Sequence, residues 1–196
     1  MDINERIARR VRDLRSERGY SLDTLAERSG VSRSSISLIE RAQTSPTANV
    51  LDKLAMALDV TLASLFDEQP ETDALPSPVS RYADQPVWTD PDSGYVRRNL
   101  SPSQPSPLQF VEVRFPAGER VAYDTGPRDS EVWQQIWVIE GAIEITLGAT
   151  TWRLDTGDCL AMRLDQPIGF HNPTSATARY LVGLVTLPFV AARRMS

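Results

Sequence analysis

The chain has a single histidine, His171, and a single cysteine, Cys159. A transition metal needs three or four N, O or S donors on one side of a cavity, and one imidazole and one thiol do not supply them. Cys159 has no partner for an internal disulfide, which fits a reducing compartment. With no basic neighbour to favour the thiolate, Cys159 beside Leu160 reads as a small buried hydrophobe rather than a redox sensor. His171 reads as structural.

The most specific spacing lies in Leu22 to Glu40. Two helices that cross closely through a short turn need a small residue at the approach, and Ala26 is there. The turn needs a residue tolerant of positive φ, which Gly30 supplies. Apolar anchors one turn apart follow at Ile36 and Ile39. This is the pattern of a helix-turn-helix. The elements around it are also helical: Ile3, Ile7, Val11 and Leu14 recur at helical spacing, and Gly19 ends that run. Ser21 and Ser32 are good N-caps for the second and third helices. Pro46 introduces a fourth helix with Leu51, Leu54, Ala55 and Leu58 on one stripe, and a last turn spans Thr61 to Phe66. Five short helices are predicted over residues 1–66.

Charge alone does not suggest nucleic acid. Residues 1–66 hold ten Lys or Arg against nine Asp or Glu; the remainder holds eleven against seventeen, for a net −5. A DNA reader would have to sort its cations onto one face of the first part. No apolar run approaches the ~18 residues of a membrane span, and Met1 to Glu5 carry no signal-like segment. A cytoplasmic protein is expected, with no membrane partner.

The first part resembles the Xre/Cro/C1 regulators, through Leu14-Arg15 before Gly19, Leu25-Ala26, Gly30-Val31-Ser32 and Ile36-Ser37-Leu38-Ile39-Glu40. The match continues through Pro46, Leu54 to Leu58 and Leu65-Phe66. The resemblance implies that Ser32 to Arg41 enters the major groove of double-stranded operator DNA. It places Arg33, Ser34 and Ser37 at base edges, with Leu38 against a thymine methyl, and Ser32, Arg41 and Thr44 at phosphates. One departure is Leu22, where many members carry a Gln that braces phosphate and recognition helix.

Residues 67–80 are acidic and proline-bearing and read as an exposed linker. From about Tyr82 the signals are those of strands: Leu108 to Phe115, Val132 to Ile139, Ala142 to Leu147, Thr150 to Leu154 and Arg179 to Leu187. Gly141, Gly148 and Gly157 stand at breaks, and no helical run intervenes. A sandwich or barrel is predicted over residues 81–196.

This second part resembles the cupin superfamily, small jelly-roll β-barrels, through Pro116-Ala117-Gly118-Glu119-Arg120, Trp137 to Ile145, Gly157-Asp158-Cys159-Leu160 and Pro167 to Asn172. Laid on this sequence, the metal ligands of a cupin fall near Tyr123 to Thr125, on Gln134 and on Ile168. None of these is a His or a carboxylate except Asp124, which could give one oxygen at most, and His171 lies three residues past the last ligand position, so no metal and no cofactor are expected. If Gln134 points inward, Ile136 and Val138 do too. The expected pocket is Ile136, Val138, Ile168 and Phe170 with Tyr123, Gln134, Met162 and Arg163. Trp133, Gln135, Trp137 and Ile139 then face outward and need a partner, either a second subunit or an N-terminal strand.

The reading is a multidomain chain, α then all-β. It is a homodimeric, non-enzymatic DNA-binding regulator whose metal-free barrel senses a small molecule. The alternatives are a constitutive regulator whose barrel only dimerises, and a cupin enzyme fused to a DNA-binding domain.

Overall fold

The computed structural model describes residues 2–66, 77–104, 106–124 and 130–188. Helices α1 (Ile3–Glu17), α2 (Leu22–Ser29), α3 (Arg33–Glu40) and α4 (Ala48–Ala57) come first. The fifth predicted helix is one 3₁₀ turn, Ala63–Phe66, too short a segment to close α-helical hydrogen bonds. Side chains at the helix starts accept from backbone N–H groups that have no partner within the helix. Ser21 takes the Thr24 N–H at 3.0 Å, Ser32 takes that of Ser35 at 3.1 Å, and Thr47 takes that of Val50 at 3.4 Å. Gly30 closes α2 at φ +67°, the left-handed conformation expected of it. Ile7, Val11, Leu25, Ile36, Leu51, Leu54 and Leu58 make the helical core.

Ten strands follow among the described residues: β1 (Val87–Thr89), β2 (Val96–Asn99), β3 (Leu108–Phe115), β4 (Arg120–Tyr123) and β5 (Ser130–Glu140), then β6 (Ala142–Leu147), β7 (Thr150–Asp155), β8 (Cys159–Arg163), β9 (Ile168–His171) and β10 (Ala178–Pro188). They form a six-stranded sheet, β1-β2-β3-β10-β5-β8, facing a four-stranded one, β4-β9-β6-β7. All pairings are antiparallel. Val111, Val113, Ile136 and Val138 from one sheet meet Ile143, Ile145, Ile168 and Phe170 from the other. The β5–β6 turn needs glycine twice over. Gly141 has φ +78°, and a Cβ there would meet Ala178 Cα at 3.1 Å and Thr177 O at 3.2 Å. The region beginning at Tyr82 opens with a 3₁₀ turn, Tyr82–Asp84, before any strand.

Of the predicted linker, residues 67–76 lie outside the described residues. The two cores are continuous rather than separate. Phe66, the last residue of the helical part, packs against Trp88 of β1 with ring centroids 5.6 Å apart. Hydrogen bonds also cross the junction. Asp90 Oδ1 accepts from Ala48 N at 2.9 Å, and Ala122 O accepts from Asn49 Nδ2 at 3.2 Å. Ala63 O accepts from Asn99 Nδ2 at 3.2 Å, and the Thr61 hydroxyl donates to Gln109 Oε1 at 2.9 Å. Asp90 is buried and also takes the Ser93 N–H and hydroxyl, so it acts as an N-terminal cap for α4 supplied from the barrel side. Among the described residues no helix is long and apolar enough to cross a membrane.

Candidate functional sites

Helix α3 presents Ser32, Arg33, Ser34, Leu38, Arg41 and Thr44 to solvent, with Ser37 half-buried, while Ile36 and Ile39 are buried beneath. The seven side chains expected at DNA therefore share the outer side of one short helix and the turn after it. Ser32 Oγ lies 3.0 Å from Ser34 Oγ and 2.7 Å from Ser35 Oγ. Arg33 leans on Asp23 at 3.1 Å, both well exposed, and Arg41 Nε donates to Ser37 O at 3.0 Å. What fixes the helix is not evident in the sequence. Glu40, its last residue, is buried and receives both Nε and Nη2 of Arg15, at 2.6 and 2.9 Å. Arg15 also donates to Tyr20 O, and Arg12 donates to Glu40 O. The doubly bonded pair holds the Arg15 guanidinium above its usual range through the hydrogen bond to Glu40.

The second site is a cavity of about 70 Å³ between the barrel and the helical part. Of the eight residues expected at a pocket, Tyr123, Gln134, Ile168 and Phe170 line this cavity. Ile136, Val138 and Met162 are buried but do not line the cavity. Arg163 lies on the outside, half-exposed, with its guanidinium on Asp165 and on Glu131 at 3.3 Å. Strand alternation accounts for this, since Met162 and Arg163 cannot share a face. The sequence does not point to the rest of the lining. Asp52 of α4, Thr61 and Leu62 form one wall, and Tyr95, Arg97, Phe115 and Tyr180 form much of the other.

Tyr95, Phe115, Tyr180, Phe170 and Tyr123 form a run of ring contacts 5.7 to 6.5 Å apart. The hydroxyls of Tyr95 and Tyr123, 3.0 Å apart, close it into a circuit. Burial pushes the hydroxyls of Tyr95, Tyr123 and Tyr180 above the usual phenol range, so all three stay neutral.

The positions where a cupin metal would be held do not fit one. They carry a phenol, a carboxamide and a hydrocarbon at Tyr123, Gln134 and Ile168. Asp124 is exposed, and Thr125 lies outside the described residues. His171 faces away from Ile168 and Phe170 and bonds Glu144 Oε2 through Nδ1 at 2.8 Å. Among the described residues no group of three or more His, Cys, Asp or Glu side chains converges. Cys159 is exposed rather than buried. It lies on the outer face of the six-stranded sheet, in a shallow groove with Phe110, Trp133 and Trp137. Those three are 40, 45 and 49% exposed.

Comparison with known proteins matches residues 11–65 to the helix-turn-helix family HTH_3. The chain is 46% identical over 68 residues to the HTH-type transcriptional regulator SinR of Bacillus subtilis, which is 34% of this chain and 61% of that protein. It thus spans about three fifths of that relative. It is 26% identical over 170 residues to the HTH-type transcriptional regulator SutR of Escherichia coli, covering 87% and 89% of the two chains. The crystal structure of an HTH_3 family transcriptional regulator from Vibrio cholerae superposes with a TM-score of 0.73 at 25% identity, covering 93% of this chain and 96% of that one.

Proposed function

Starting from a chain that belongs to the HTH_3 helix-turn-helix family, of the Xre type, we propose that it is a DNA-binding transcription regulator whose barrel senses a small molecule. The single observation that carries the sensing half is the shared cavity, whose walls come from α4 and Thr61-Leu62 on one side and the barrel on the other. An occupant that fits only one setting of these walls favours that setting, and the preference passes to the helices that meet DNA. A solid barrel serving dimerisation alone would have no reason to leave space against α4.

In this reading Arg33, Ser34 and Ser37 read base edges, Leu38 meets a thymine methyl, and Ser32, Arg41 and Thr44 hold phosphates. The partner is double-stranded operator DNA, and the proposed site of action is the cytoplasm. The outer face with Phe110, Trp133 and Trp137 suits a second copy, since exposed aromatics in one patch are characteristic of interface cores. A two-fold dimer would set its α3 helices for half-sites about 34 Å apart. We assign the barrel no catalytic role, because among the described residues its inward side chains offer neither a ligand set nor a nucleophile with its base.

The experiment is selection of binding sites from a random duplex pool with the full chain. Enrichment of one pseudo-palindromic sequence, lost with Arg33→Ala, is the expected result. A pool that stays random under conditions where the protein is folded overturns the assignment.

A further inference from the structure

Arg97 of β2 turns into the barrel and is only 7% exposed. Its Nε and Nη2 are buried with no hydrogen-bond partner among the described residues. The ring of Phe66 lies 5.6 Å from its Cζ, which offsets part of the charge but offers no acceptor to either N–H. A buried guanidinium with unmet donors is costly, and proteins keep one where something else supplies the acceptors. Nε–H and Nη2–H lie along the same edge of the guanidinium, side by side. That edge matches the two oxygens of a carboxylate.

The surroundings narrow the partner further. The Tyr95 and Tyr123 hydroxyls, 3.0 Å apart, share one hydrogen between them and leave a second free to donate. Both phenols are held neutral by burial, so both keep their hydrogens. Most of the remaining lining is hydrocarbon and aromatic, from residues such as Phe115, Ile168, Phe170 and Val182. Asp52 stands in the opposite wall, so a second negative charge on the occupant would meet a carboxyl group. A volume of about 70 Å³ takes on the order of five waters' worth of atoms.

We propose that this cavity binds a compact monocarboxylate with an apolar body, its two oxygens held side-on by Nε and Nη2 of Arg97. Bound there, the acid touches the barrel through Arg97 and the DNA-binding part through Thr61 and Leu62, and so ties the two together. The inference rests on the sensor reading above and names the ligand class of that same cavity.

The test uses the full chain and a panel of propionate, butyrate, isovalerate and pyruvate, each beside its uncharged amide and an amine of matching size. Melting temperature and titration calorimetry are read for wild type, Arg97→Met and Tyr123→Phe. At least one acid should raise the melting temperature by several degrees and bind saturably, while its amide does not. Arg97→Met should weaken that acid tenfold or more, and Tyr123→Phe, which keeps the ring, should weaken it several-fold. Binding of an amide or amine that is indifferent to Arg97→Met overturns the carboxylate assignment and leaves the sensor reading standing. An acid that binds through Arg97 without changing affinity for the selected DNA upholds the assignment and overturns the sensor reading. No binding by any member of the panel overturns the assignment.

Discussion

Arg15 of α1 and Glu40 of α3 meet edge to edge, with Nε–Oε1 at 2.6 Å and Nη2–Oε2 at 2.9 Å, and their side chains are 17 and 8% exposed. The pair anchors the C-terminal end of the helix proposed to read DNA, and its importance shows when one member is removed. Glu40→Gln leaves a mostly buried guanidinium short of a charge, a change that typically costs about 3 kcal/mol. Urea unfolding should show that loss. Replacing both residues with apolar side chains of similar size should recover much of it.

Arg33 and Arg41 should fail differently. Arg33→Ala removes a proposed reader of base edges, so affinity for the selected site should fall by about 1–3 kcal/mol and discrimination at one position should relax. Arg41→Ala removes a proposed phosphate contact, so binding should weaken evenly across sequences and the salt slope should fall by about 1. Arg33 leans on Asp23 in the free protein. Asp23→Asn should therefore tighten binding slightly, and fluorescence anisotropy across a salt series separates all three.

Asp90 caps a helix 42 residues earlier in the chain. Asp90→Ala should cost about 1–2 kcal/mol through the lost cap and the Ser93 bonds it organises. The more diagnostic result is loss of coincidence: melting followed by helix signal and by tryptophan signal should superpose in wild type and separate in the variant.

Glu112 on β3 accepts from Arg179 of β10 at 2.9 Å, and this hydrogen bond holds its carboxyl below the ordinary value of 4.5. A carboxyl depressed in the folded state lends stability that is fully present above about pH 4.5 and is lost as pH falls through its folded value. Melting temperature against pH should therefore fall less steeply below pH 4.5 in Glu112→Gln than in wild type. The two curves should be farthest apart at neutral pH and converge in acid.

Trp133 and Trp137 share the outer face of β5, with Gln135 between them. If a second copy covers that face, Trp133→Arg should shift sedimentation from dimer towards monomer while leaving the melting temperature at high dilution nearly unchanged. Operator affinity should fall with it, because each half-site would be held singly.

Sequence patterns reveal the local features and leave the long-range ones hidden. Ser21, Ser32 and Gly30 act within a few residues of themselves, so their roles are visible in order along the chain. The alternation of β5 separates Gln134, Ile136 and Val138 from Trp133 and Trp137 correctly, because a strand has only two faces. Alternation gives the face and not the position along the barrel, which is why it assigns Ile136, Val138 and Met162 to a cavity they do not line. Val96-Arg97-Arg98-Asn99 has too few apolar residues to read as a strand, so the cation at that cavity does not stand out. Asp90 and Asp52 owe their places to elements dozens of residues away, and no short window contains both ends of such a contact. Arg163 differs from expectation by one residue, and in a strand one residue is the whole difference between inside and outside. Cys159 differs for a similar reason: it pairs with Trp137 on the outward side of β5's partner strand.

The order of strands in the larger sheet bears on how the protein is made. β10, the last strand among the described residues, sits between β3 and β5 and pairs with both. During synthesis, helices α1 to α4 leave the ribosome first and can close locally. β3 and β5 must then wait with unpaired edges until the chain has been translated through Pro188. Such edges are templates for wrong pairing, and non-local strands assemble slowly. A translational pause or a chaperone that shields those edges would matter more here than one acting on the helices, and premature termination within β10 would leave the larger sheet split into β1-β2-β3 and β5-β8.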